Sequence, residues 1–187
     1  MHPGHHPTHT LELRVRALSQ LFNSLDPTPF LNRDLDRECD LFIENWALSL
    51  PADSVLQLIV HVEESVSPEQ AGELLADALH NYYGYKRQLV QGELGQLLGQ
   101  GRASLAIGVV FVTACLVAGE MIAAFMPGHA AKVARESLTI IGWVAMWRPV
   151  QIFLYDWWPL RRRIRTLEAL RYARVSVSVV ASPDAGV

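Results

Sequence analysis

GWVAMWRPVQIFLYDWWPLRRRIR, Gly142 to Arg165, decides how the chain is read. The 19 residues before the arginine cluster have the makeup of a membrane helix. That is close to the ~20 residues needed to cross a ~30 Å hydrocarbon layer. Tyr155, Trp157 and Trp158 form an aromatic belt, and Arg161, Arg162, Arg163 and Arg165 follow at once. Aromatics at headgroup depth with arginines just beyond mark a cytoplasmic face. Yet Arg148-Pro149, a charge followed by a helix breaker, sits mid-span.

Working outward, this span covers about residues 138–158. An earlier one, SLAIGVVFVTACLVAGEMIAAFM over 104–126, is also long enough to cross, and Pro127-Gly128 ends it. The connecting loop holds Lys132, Arg135 and Glu136, whereas Lys86, Arg87 and Arg102 precede the first span. The positive-inside rule then places both termini in the cytoplasm and the loop outside, a two-helix transmembrane hairpin over 101–160.

Each span carries an ionisable residue well inside it, Glu120 and Arg148. A lone charge at the bilayer centre costs at least about 2.5 kcal/mol, so such residues pair. Depth counted from the outer ends, with arginine snorkelling, allows a Glu120–Arg148 pair within the hairpin or between protomers. Pro149 removes a backbone donor and frees the carbonyl of Ala145, a kink that the Arg148 donors can help satisfy. The pair is then a structural lock on a kinked helix or the lining of a path for an ion or proton. Asp156 sits at the inner interface, facing water or paired with Arg102 or an arginine from Arg161 onward. Trp143 and Trp147 are four apart, spaced for packing or for lipid.

The rest of the chain reads as an α/β cytoplasmic domain, about three strands and two helices, over residues 11–100. Leu11 to Leu18 alternates apolar and charged residues, the period of a strand. NSLDPTPFLN is turn-rich. Leu35, Cys39, Phe42, Ile43, Trp46 and Ala47 recur at helical spacing, with Asp34 or Asp36 as cap. VLQLIVHV, Val55 to Val62, predicts a strand covered on both faces. Ser67-Pro68-Glu69-Gln70 opens a helix whose apolar stripe is Ala71, Leu74, Leu75, Ala78, Leu79 and Tyr82. Further along, Gly92, Gly95 and Gly99 share a face, for close packing or for a joint. The basic tail, 161–187, holds a short strand at Val175, Val177 and Val179 that can join the sheet, making the hairpin an insertion in the α/β unit. Strand, helix, strand implies parallel pairing.

Residues 1–10, MHPGHHPTHT, have no apolar core and are not a signal peptide. His2, His5, His6 and His9 are metal-capable, but the segment reads as a disordered tail. Glu73, Asp77 and His80 could meet a metal and equally form a solvated face; His61 reads as a strand histidine. No cofactor or metal motif stands out, and an enzyme is not the expectation. The net charge of -3 argues against a nucleic-acid partner. Cys39 and Cys115 lie in different regions, so no disulfide is expected.

GRASLAIG, GWVAMWRPVQIFLYDWWPL and LSQLFNSLDPTPFLNRDLD together resemble a group of small bacterial two-span inner-membrane proteins. The resemblance implies a bacterial inner-membrane location and brings no activity or site residues. Partners are the bilayer and either further copies or a larger membrane complex, with Ser104/Gly108 and the Gly92 face as contact points. Two functions follow as expectations: an accessory or scaffold protein that presents its cytoplasmic domain to a protein partner, or a homo-oligomeric channel or transporter component using Glu120 and Arg148.

Overall fold

The computed structural model describes residues 7–23, 34–51, 54–63, 67–126 and 128–180. His2, His5, His6, Pro127 and most of the turn-rich stretch lie outside these. The chain divides into two compact units, Met1–Val90 with Arg162–Val187, and Gln91–Arg161.

In the first unit, alternation builds a sheet. β1 (Thr8–Val15), β2 (Val55–Val62) and β3 (Arg174–Val179) pair in parallel in the order β1-β2-β3. β1 starts earlier than the alternation suggested, so His9 belongs to a strand and not to the tail, while Leu18–Leu21 forms a 3₁₀ turn. The register sets Leu11 against Leu58, and Leu58 against Val175. Leu56, Leu58, Val60 and Val62 are buried on one face of β2. Val55 is exposed and Gln57, Ile59 and His61 are half-buried on the other. The expectation of a strand covered on both faces is therefore corrected. Two connections step the same way across the sheet, and right-handed crossovers then lay their helices on one side.

The helices supply the covered face. α1 (Arg37–Ser49) starts at Asp36, whose side chain accepts from the backbone N–H of Glu38 and Cys39. Such a cap is worth about 1 kcal/mol. Ile43 and Ala47, one turn apart, are buried. α2 (Pro68–Phe125) begins at the predicted proline. Its buried side chains before Val90 are Ala71, Leu75, Ala78, Leu79 and Tyr83; Leu74, assigned to the stripe from sequence, is exposed. α3 (His129–Ala145), α4 (Trp147–Gln151), a π turn (Ile152–Asp156) and α5 (Trp157–Arg171) follow almost without interruption. Leu167 and Leu170 of α5 complete the core. Each fully buried side chain of this size contributes about 1.5–3 kcal/mol.

In the second unit, glycines mark where helices touch. A Cβ on Gly119 would meet Arg135, one on Gly142 would meet Val112 and Cys115, one on Gly108 would meet Met146 and Pro149, and one on Gly101 would meet Ile152 and Phe153. The partner numbers rise from Arg135 to Phe153 as the α2 positions fall from Gly119 to Gly101, so the later segment runs back along α2. Gly101, Gly108 and Cys115 are seven apart, the repeat of a helix–helix seam. Gly92, Gly95 and Gly99 have nothing within 4 Å of an added Cβ. Away from the seam both helices are bare: only 17% of the apolar window of each is buried. Both are long and apolar enough to cross a membrane.

Candidate functional site

The second unit places its charges in pairs. Glu120 accepts from Arg135 Nη2 at 2.5 Å. α3 starts at His129, so Arg135 lies six residues inside it, and Glu120 lies six residues before Met126. Both are then roughly 9 Å from the same end. Arg148 pairs with Asp156 at 3.6 Å and not with Glu120 in the same chain. Asp156 in turn uses neither Arg102 nor an arginine from Arg161 onward, the partners offered as an alternative to water. Residues eight apart on an α-helix diverge, but the π turn absorbs an additional residue and brings the two onto one face.

Pro149 acts where its chemistry predicts. The helix breaks between Ala145 and Met146, four residues before the missing N–H, and Met146 N–H turns back to Trp143 and Val144. The proline ring itself is buried against α2. Thr113 and Thr139 donate to the carbonyls of Val109 and Arg135 one turn back, so their hydroxyls need no outside partner. Trp143 and Trp147 are exposed, as are Tyr155 and Trp158. Trp157 donates its indole N–H to the Phe153 carbonyl at 2.8 Å and stacks under Arg161.

The arginine cluster then divides its work. Arg161 lies over Trp157; Arg162 donates to the Leu48 carbonyl at 2.7 Å, in the last turn of α1. A cation there complements the helix C-terminus. Arg163 reaches Glu44 of α1 with two nitrogens, at 2.5 and 3.3 Å. Lys86 of α2 bridges Glu44, at 2.7 Å, and Asp40. Two carboxylates and two cations thus tie α1, α2 and α5 together, with Glu44 and Asp40 buried. Burial alone would raise the Glu44 pKa, but the hydrogen bonds and charges of Arg163 and Lys86 outweigh it and hold the carboxyl below its usual 4.5. The Tyr83 hydroxyl is pushed well up by burial and then by Asp40. Sequence reading missed this cluster. Its only signal was Asp40 and Glu44 one turn apart, flanking the buried Ile43 and Ala47.

Of the remaining candidates, His80 accepts from Arg171 at 3.2 Å rather than joining Glu73 and Asp77, and His61 faces Glu12 at 3.4 Å on the open side of the sheet. Among the described residues no three His, Cys, Asp or Glu side chains are placed to hold a metal. Cys39 and Cys115 are free thiols. No family model, curated protein or solved structure matches the chain.

Proposed function

We propose that this is an integral protein of a bacterial inner membrane, a scaffold that holds its α/β unit at the cytoplasmic face for a protein partner. The two apolar helices would cross the bilayer as a hairpin, with the loop near Lys132 outside. The observation that carries the scaffold reading is the half-covered sheet. Parallel sheets are normally covered on both faces, and among the described residues this one leaves Val55 exposed and Gln57, Ile59 and His61 only half-buried on one face of its central strand. A partner would complete it. Homo-oligomers or a larger membrane complex would cover the apolar helix surfaces. The test is cross-linking mass spectrometry in native membranes. Cross-links from the α/β unit to one partner support the reading; cross-links only to lipid or to the chain itself contradict it.

A second reading, an oligomeric channel or transporter component, has one observation in its favour. Arg148, Pro149, the π turn and Asp156 form a charged irregularity inside a span. π turns recur at functional sites, and intramembrane charges mark polar paths. Ion flux that falls on Arg148→Gln, with assembly intact, would favour it over the scaffold.

A further inference from the structure

We infer that the free edge of β3 takes up an extended, lysine- or arginine-bearing segment of a partner protein as a fourth strand. This rests on the scaffold reading and names where and how the partner docks. The direction of the ladder fixes which backbone groups are free. A parallel strand bonds each neighbour through alternate residues. Val180 N–H donates to the Val62 carbonyl at 2.9 Å, which turns Ser176 and Ser178 towards β2 as well. Val175, Val177 and Val179 therefore point their N–H and C=O groups away from the sheet. Unpaired edge groups of this kind are a template for another chain.

Beside that edge lies a groove of about 400 Å³ between Val175, Ser176 and Val177 and the first turns of α2. Gly72 keeps it open: a Cβ there would come to 3.8 Å from Val177 N, and a larger side chain would fill the space over that amide. Glu69 and Glu73 stand on the α2 wall, both exposed. An added strand gains its affinity from main-chain hydrogen bonds and its selectivity from alternate side chains. Here the strand supplies the first at Val175, Val177 and Val179, and the two carboxylates supply the second by selecting for cations.

The test uses the full chain in lipid nanodiscs and two synthetic seven-residue peptides. One alternates lysine with threonine and valine; in the other, glutamate replaces lysine. Amide hydrogen exchange is read at each residue. The lysine peptide is expected to slow exchange at Val175, Val177 and Val179, and the glutamate peptide to leave it unchanged. Val175→Pro, which removes an outward donor, should abolish that protection, and the surface pair Glu69→Lys/Glu73→Lys should weaken binding roughly tenfold. Equal binding of both peptides, protection elsewhere on the unit, or edge amides already slow through a second copy would each overturn the inference. A partner cross-linked only to the open face of β2, with edge exchange unchanged, would overturn the β3 site and leave the scaffold reading standing. A chain without any partner on this unit would remove both.

Discussion

The guanidinium of Arg163 grips both carboxylate oxygens of Glu44, one from the helix that leaves the apolar segment and the other from α1. Glu44 is only 4% exposed, so this carboxylate depends on protein cations in place of water. Removing one partner of a buried pair costs about 3–5 kcal/mol, because the other charge is left uncompensated. Arg163→Leu is expected to fall at the lower end, about 3 kcal/mol, since Lys86 stays on Glu44. Thermal unfolding of the single variants and of the double variant with Glu44→Leu checks this. The double variant should recover much of the loss.

The same carboxylate gives a pH dependence. Its folded pKa lies below 4.5 because Arg163 and Lys86 overcome the opposing effect of burial. A carboxyl with a depressed folded pKa stabilises the fold above its unfolded value, and the contribution is lost as pH falls through the folded value. Stability of the first unit should therefore drop as pH is lowered from 4.5. Glu44→Gln should be less stable at neutral pH and show a shallower acid limb in a melting series.

Cys39 should be a poor nucleophile. Burial first, then the charges of Asp36 and Asp40, push its thiol up to about 11. At pH 8 the thiolate is then roughly one part in a thousand. Iodoacetamide followed by peptide mass spectrometry should leave Cys39 unmodified in the folded protein and modify it after denaturation. Rapid labelling in the native state would contradict the packing of α1.

The helix seam makes a covalent prediction. A Cβ on Gly142 would lie 3.5 Å from the Cβ of Cys115, within disulfide range. Gly142→Cys, in a Cys39→Ser background, should form an intramolecular disulfide with Cys115 on mild oxidation, seen as a mobility shift without dimer. Conversely, Gly95→Ala has open space around it and should raise helix stability by about 1 kcal/mol. A loss of assembly on that change would mean a second helix packs there.

Several of these features were legible in the residues. Alternation in LELRV and SVSV and the β-branched run VLQLIV foretold three strands, and Pro149 foretold a break at Ala145. Side-chain pairing across distance was not legible. Hydropathy starts the second span near residue 138, which points Glu120 towards Arg148; the helix itself starts at His129 and brings Arg135 to the depth of Glu120. Asp40 and Glu44 carry no signal of their own, since nothing in α1 announces that Lys86 and Arg163 will meet them. Gly108 is legible as a helix contact through its spacing from Ser104, but its companions in the seam, Gly101 and Cys115, are masked by their spacing of seven, and the denser Gly92, Gly95 and Gly99 face has nothing within 4 Å of an added Cβ.

The proposed topology puts the sheet strands on one side of a membrane and the first turn of α3 on the other. Single cysteines at Glu12, Ser178 and Ala130, in a background without Cys39 and Cys115, can be probed with a membrane-impermeant maleimide. In intact cells Ala130→Cys should label and both strand positions should not; after permeabilisation all should label. Labelling of Glu12→Cys or Ser178→Cys from outside, or protection of Ala130→Cys, would contradict the account.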